Sequence, residues 1–158
     1  MRISPAVVGL ASVLAGSAPA AADWNVSQTT DVRTNTTHNV ATLAASGGAA
    51  TLRMRCVNGR TWPDLIFSQP IVPPKIVRLR ATYQFDSSKP VTRSATVSEK
   101  GRELWLWVGE PASTMQRILR ARRLLVEVTL PAADEPVSFE FDLTGADRIV
   151  PQVQCPPL

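Results

Sequence analysis

The chain has 158 residues, of which 44% are hydrophobic and 19% charged, a composition typical of one packed domain rather than of a disordered chain. Two cysteines exclude a disulfide-dense scaffold and a four-thiolate metal site, and a single histidine excludes the zinc motifs that need two. The formal net charge of +4 is mild and gives no reason to expect a nucleic-acid partner.

The N-terminus has the features of a cleaved signal peptide. A basic second residue precedes an apolar stretch over residues 3–14, and small residues follow as far as Ala22. The apolar stretch is too short to span about 30 Å of hydrocarbon, which disfavours a membrane anchor. These features predict a signal peptide over residues 1–22 and a single β-rich periplasmic domain over residues 23–158, without a membrane span.

Export would place the two cysteines in a compartment where a disulfide can form. In an oxidising compartment, Cys56 and Cys155 are the one pair available for an intramolecular disulfide. The bridge closes a loop of about 100 residues, which the chain-entropy model values at about 4–5 kcal/mol. Because the spacing is not that of a redox-active Cys-x-x-Cys motif, we predict a structural bridge that fastens the C-terminal segment to a strand ending at Cys56.

Alternation of apolar and polar residues predicts that the domain consists mostly of antiparallel strands. The alternation is clearest from Val77 to Phe85. Asn58-Gly59 is a hairpin signal, and residues 99–101 predict another turn. The predicted strands span residues 24–29, 39–45, 50–56, 61–68, 77–85, 91–97, 103–108, 124–130 and 137–143. Together they predict an antiparallel β-sandwich-like domain.

One or two short helices interrupt the predicted strands. Ser113 and Gln116 stand three residues apart in the pattern of a capping box, and apolar residues follow at helical spacing. A second short helix is predicted over residues 145–150, limited by Pro151.

Residues suited to catalysis are scarce. His38 lies in a polar segment over residues 31–38, which predicts a solvated loop, and no Gly-x-Ser-x-Gly elbow supplies a nucleophile for it. Glu140 and Asp142 have the chemistry of glycosidase carboxylates, but their alternating positions indicate the solvent side of a strand. We therefore predict a protein that is not an enzyme, with no catalytic residues, cofactor, metal or small-molecule substrate.

Two strands carry arginines on their predicted outer faces: Arg53 and Arg55 on one, Arg78 and Arg80 on the other. If these strands are neighbours, four guanidinium groups form one patch suited to an acidic or phosphate-bearing partner. The alternative is a solvated face whose arginines pair with Glu140 and Asp142.

Trp105 and Trp107 fall on one face of the predicted strand over residues 103–108, whose other face is also apolar. A short strand that is apolar on both faces is typical of burial on both. The alternative is an exposed aromatic patch that contacts a partner.

Several segments follow the predicted export signal in a distinctive order. They are Trp24 near the predicted mature start, Leu52-Arg53-Met54-Arg55-Cys56, the strand from Arg78-Leu79-Arg80 to Phe85-Asp86, the segment Ile118-Leu119-Arg120-Ala121-Arg122-Arg123-Leu124-Leu125-Val126, Phe139-Glu140-Phe141-Asp142-Leu143-Thr144-Gly145, and the closing Cys155. This order resembles the VasI/TagO-like family of periplasmic proteins associated with type VI secretion, across nearly the whole predicted domain.

The resemblance implies a non-enzymatic accessory role in the periplasm. The protein is then expected to contact a protein partner in the cell envelope, through its arginine faces or an exposed sheet edge. A periplasmic immunity or inhibitor protein, which binds a toxin or an envelope hydrolase, is the alternative. A cell-wall or lipid-modifying enzyme is a third class, and it lacks a recognisable nucleophile–base pair.

Overall fold

The computed structural model describes residues 22–32, 35–57, 59–72, 77–98, 100–106, 111–130, 135–153 and 155. The predicted signal peptide, apart from Ala22, and Trp107 lie outside the described residues. The strands are β1 (Trp24–Asp31), β2 (Thr36–Ala44), β3 (Ala50–Val57), β4 (Arg60–Phe67), β5 (Val77–Phe85), β6 (Val91–Val97), β7 (Glu103–Trp105), β8 (Arg123–Thr129) and β9 (Val137–Asp142). The helices are α1 (Pro111–Arg120) and α2 (Ala146–Ile149), and a 3₁₀ turn over Val150–Val153 continues α2.

The strands join one antiparallel sheet in the order β1-β2-β3-β4-β7-β6-β5-β8-β9. The first four strands follow one another as hairpins. The chain then crosses to β5 and returns through β6 to β7, which pairs with β4. After α1, β8 pairs with the other side of β5, and β9 completes the sheet. The prediction of a mainly β fold with two short helices is confirmed, and its strands form one continuous sheet.

The sheet curls so that the parts around β4 and β9 face each other across a common core. The ring centroids of Phe67 on β4 and Phe139 on β9 lie 5.1 Å apart. The backbone N–H of Ser46 donates to the carbonyl of Glu140 at 2.8 Å, which ties the turn after β2 to β9. Residues of β2 to β9 fill the enclosed space, among them Leu43, Leu52, Leu65, Leu104, Val97, Ala81, Tyr83, Val126 and Phe141, and Trp24 and Val26 of β1 pack against them while partly buried. This face-to-face packing is the sandwich-like arrangement that the alternation predicts.

The predicted disulfide is confirmed. Cys56, near the end of β3, is bonded to Cys155, and their Cα atoms lie 5.1 Å apart. The backbone N–H of Cys155 also donates to the hydroxyl of Thr61 at 3.2 Å, and the side-chain amide of Asn39 donates to the carbonyl of Gln152 at 2.8 Å. The chain after α2 is therefore fastened to β2, β3 and β4.

No helix within the described ranges is long and apolar enough to cross a membrane.

The start of α1 differs from the sequence prediction. The helix begins at Pro111, so Ser113 lies inside its first turn and does not precede the helix as a cap. Proline suits a first helical position because it lacks the N–H group that would have no partner there, and its φ angle is already helical. The second short helix, predicted over residues 145–150, is confirmed as α2.

Among the described residues β7 ends at Trp105, and residues 107 and 108 of the strand predicted over residues 103–108 lie outside the described ranges. Its ladder with β4 covers Asp64–Ile66. Beyond it the backbone N–H of Leu106 still donates to the carbonyl of Pro63 at 3.3 Å, but Pro63 has no N–H to donate in return. The predicted turn before β7 contains Gly101, whose φ is +69° and where a Cβ atom would collide with the carbonyl oxygen of Val72. These two constraints fix where β7, and with it Trp105, lies on β4.

Candidate interaction surface

The outer face of β3, β4 and β7 carries four charged side chains that form one network, here called the arginine–aspartate cluster: Arg53, Arg55, Asp64 and Glu103. Asp64 lies at its centre and is only 2% exposed. Arg53 donates to it twice, from Nε to Oδ1 at 2.9 Å and from Nη2 to Oδ2 at 2.6 Å. Arg55 Nη2 donates to Oδ2 at 3.0 Å. Such a bidentate, charge-assisted arrangement holds all three side chains in one geometry.

Glu103 on β7 extends the cluster. Its carboxylate oxygens lie 3.5 Å from Arg53 Nη2 and 3.7 Å from Arg55 Nη2. Burial alone would lower the pKa of the Arg53 guanidinium, but the hydrogen bond to Asp64 and the charges of Asp64 and Glu103 outweigh it and raise that pKa above its ordinary value. The Arg53 guanidinium therefore stays charged, and the cluster contains two arginines and two carboxylates.

Sequence reasoning missed Asp64, although a signal for it was present. The sequence Asn58-Gly59 predicts a two-residue hairpin turn, and such a turn fixes the register of its strands. The register observed for β3 and β4 places Arg53 opposite Asp64 and Arg55 opposite Trp62. The one carboxylate in the predicted strand over residues 61–68 is therefore expected beside the arginines of the preceding strand. The position of Glu103 depends on the pairing of β7 with β4, which no local pattern indicates.

A pair of tryptophans, here called the tryptophan pair, lies beside the cluster, with Trp62 opposite Arg55 and Trp105 opposite Asp64 in the sheet. Trp62 and Trp105 have ring centroids 5.9 Å apart and ring planes inclined by 57°. Trp105 is opposite Asp64 in the sheet and is 37% exposed, so the predicted burial on both faces is wrong for this residue. Its position on the outer face corresponds to the alternative, an exposed aromatic patch.

The cavity beneath the tryptophan pair is too small for an organic ligand. It measures about 10 Å³, close to the minimum for one water molecule, and Arg55, Trp62 and Trp105 are among its lining residues. The Nε atom of Arg55 is buried and has no hydrogen-bond partner among the described residues. The surface is therefore suited to contact with a partner rather than to enclosing a small molecule.

Arg78 and Arg80 lie elsewhere on the sheet. β4, β7 and β6 separate β3 from β5, so the condition for a single patch of four guanidinium groups is not met. Both side chains are exposed, and within the described ranges neither makes an ion pair. On β6 they face Thr96 and Ser94 respectively.

The carboxylates considered from the sequence also lie apart from the arginine–aspartate cluster. Glu140 on β9 pairs with Arg123 at 2.7 Å, not with the arginines of β3 or β5. Asp142 Oδ1 accepts the backbone N–H of Thr144 at 2.9 Å, and hydrogen bonding to Thr144 lowers the pKa of Asp142 below its ordinary value. Both side chains are exposed on the outer face of β9, as the alternation predicts.

His38 lies in β2, half-buried and opposite Thr29, so the prediction of a solvated loop is wrong. Among the described residues no cysteine is free to act as a nucleophile, since Cys56 and Cys155 are joined. Nor do three or more histidine, cysteine, aspartate or glutamate side chains of the described ranges group as metal ligands.

Comparison of the chain with models of known families, with curated proteins and with solved structures finds no match. The arguments for a function therefore come from the residues themselves.

Proposed function

We propose that the protein is an exported periplasmic accessory of a type VI secretion apparatus, which acts by contact with a protein of the cell envelope. The outer face of β3, β4 and β7 is the contact surface. The observation that carries this proposal is Trp105, a large aromatic side chain that is 37% exposed and is supported by Trp62.

Trp105 has the properties of a binding hot spot. Tryptophan and arginine are enriched among the residues that dominate protein–protein binding, because they bury a large area and also offer polar groups. Ion pairs hold Arg53 and Arg55 in place, so little side-chain entropy is lost when a partner covers them. A rigid aromatic centre with a charged rim is the usual anatomy of a protein interface.

Two further considerations support the cellular setting. The Cys56–Cys155 bridge is of the kind that forms and persists in oxidising compartments such as the periplasm. The order of segments described above resembles the VasI/TagO-like family, and this resemblance is the reason for naming a type VI apparatus. Intact-mass analysis of the native protein tests export: we expect a chain that begins after Ala22 and contains no free thiol, and an unprocessed chain with two thiols contradicts export.

Affinity capture from the native envelope tests the contact. The tagged wild-type protein is expected to recover an envelope component of a type VI apparatus, and Trp105→Ala to recover at least tenfold less. Val137→Ala is the matched control, because Val137 on β9 is exposed to a similar extent, 38%, and lies outside the proposed surface.

Three outcomes contradict the proposal. Capture that recovers no component of such an apparatus removes the cellular role, and equal recovery by Trp105→Ala removes the contact surface. Recovery of a stoichiometric one-to-one complex with a toxin or an envelope hydrolase indicates the immunity or inhibitor function instead.

A further inference from the structure

A second surface feature lies between the β5–β6 turn and the C-terminal half of α1. It is a groove with a volume of about 530 Å³, which is within the range of ligand-binding clefts. Phe85 and Ala121 form its floor and are buried, whereas the other side chains that line it are exposed. The groove is therefore open along one side.

Two arginines give the groove a positive charge. Arg117 and Arg120 are exposed, lie one turn apart at the end of α1, and make no ion pair within the described ranges. The Cζ atom of Arg117 lies 6.0 Å from the centroid of the Phe85 ring, a cation–π distance that orients the guanidinium over the floor. The groove therefore presents at least one preoriented guanidinium group that is free to pair with an anion.

One lining residue, Asp86, is acidic, and its carboxylate already accepts two backbone hydrogen bonds. Asp86 Oδ1 accepts the backbone N–H groups of Arg122 at 2.9 Å and Arg123 at 3.0 Å. These hydrogen bonds fasten the β5–β6 turn to the chain that follows α1, and so hold the two walls of the groove together. Asp86 thus links the two walls, and among the described residues it makes no ion pair with Arg117 or Arg120.

The chemistry of the walls favours a peptide that carries carboxylates. Guanidinium groups bind carboxylates in a bidentate manner, and the side chains of Ser87, Ser88 and Gln116 add hydroxyl and amide groups for the polar atoms of a peptide backbone. The open side suits an extended chain, whereas small molecules are usually enclosed. We propose that this groove binds an acidic, extended segment of a protein partner.

This inference goes beyond the proposed function, because it uses neither the tryptophan pair nor the arginine–aspartate cluster. It also does not depend on which envelope system the protein serves. The two proposals are therefore tested by different variants.

Fluorescence anisotropy with a labelled octapeptide of alternating glutamate and serine tests the groove on the full exported domain. We expect saturable binding that the double variant Arg117→Gln/Arg120→Gln weakens at least tenfold. The matched control is Arg93→Gln/Arg102→Gln, which removes the same charge from two exposed arginines outside the groove and is expected to change the affinity less than twofold. Circular dichroism establishes that each variant is folded.

The same titration contains the outcomes that overturn the inference. Equal weakening by both double variants means that net charge alone attracts the peptide. Equal binding of the matched glutamine–serine peptide means that carboxylates are not recognised. Displacement of the peptide by inorganic phosphate at the same concentration as the peptide identifies a site for small anions instead. If no peptide binds up to millimolar concentration, the groove is not a peptide site.

Amide chemical shifts locate the bound peptide independently of any substitution. Shifts confined to Ser87, Ser88 and the last turn of α1 support the groove, whereas shifts on β3, β4 and β7 assign the peptide to the surface with the tryptophan pair.

Discussion

β3 and β5 contain the same local pattern, two arginines separated by one apolar residue, yet the arginines occupy opposite environments. Arg53 on β3 is half-buried and makes a bidentate ion pair with Asp64. Arg78 on β5 is exposed and lies opposite Thr96. Alternation within a strand thus determines which face a side chain occupies, and the neighbouring strand determines whether its charge is paired.

The comparison separates two uses of arginine. On β3 the guanidinium groups belong to a network of ion pairs with Asp64 and Glu103. On β5 they remain solvated, and removing one exposes no buried counter-charge. Substitutions at the two positions are therefore expected to have very different effects on the free energy of unfolding.

The largest effect is expected from the disulfide that fastens the β3 region. The double variant Cys56→Ser/Cys155→Ser removes the covalent link between two residues that are separated by 99 positions in the sequence. It should lower the free energy of unfolding by about 4 kcal/mol. Urea unfolding monitored by circular dichroism measures the difference, with the chemically reduced wild type as a second reference. A loss below about 1 kcal/mol would contradict the role of the bridge in stabilising this region.

Removal of the central carboxylate is expected to have the next largest effect. Asp64→Ala leaves Arg53 and Arg55 half-buried without their main partner, and we expect a loss of about 3 kcal/mol. Glu140→Ala is the control, because it breaks the exposed pair with Arg123 and should cost less than about 1 kcal/mol. Equal losses in the two variants would show that burial of the cluster has no energetic consequence.

Substitution of the equivalent arginines tests the comparison itself. Arg53→Gln removes both hydrogen bonds to the buried Asp64 carboxylate and should cost about 2 kcal/mol. Arg78→Gln removes a solvated charge and should change the stability by less than about 0.5 kcal/mol. Both variants replace an arginine by glutamine, so the difference between their urea midpoints measures the effect of the surroundings of Arg53 compared with those of Arg78. Similar midpoints would mean that the ion pair contributes nothing net.

Much of the fold was predictable because its signals are local. Alternation located the strands, as from Val77 to Phe85, and the two cysteines left one possible bridge. The start of α1 was misplaced because Pro111 competes with Ser113 as a start signal, and the proline has the stronger backbone preference.

The candidate interaction surface was only partly predictable, because it combines local and long-range strand pairing. The Asn58-Gly59 turn contains enough information to place Arg53 opposite Asp64. The contribution of β7, with Trp105 opposite Asp64, requires the chain to pass through β5 and β6 and then return to β4. Such a non-local pairing leaves no periodic signal in the sequence.

The smallest loss of stability is expected for substitution of Asp142, a carboxylate that is exposed and, unlike Asp64, is not held by half-buried arginines. Asp142 is exposed on β9, and its hydrogen bonds with Thr144 lower its pKa from the ordinary value of 3.8. A carboxyl group whose pKa is lower in the folded state stabilises the fold fully above its unfolded pKa, and this contribution is lost as the pH falls through the folded pKa. Because the side chain is solvated, Asp142→Asn should cost less than about 0.5 kcal/mol at neutral pH.

The pH dependence of that small difference provides the check. The stabilities of wild type and Asp142→Asn, measured by urea unfolding, should differ at neutral pH. They should converge as the pH falls from 3.8 through the lower folded-state pKa, below which the wild-type carboxyl is protonated in both states. Asp64→Ala serves as the contrast, since the loss of its ion pairs with Arg53 and Arg55 should greatly exceed this difference at neutral pH. A difference for Asp142→Asn that grows on acidification would reverse the expected sign and contradict the assigned hydrogen bonds.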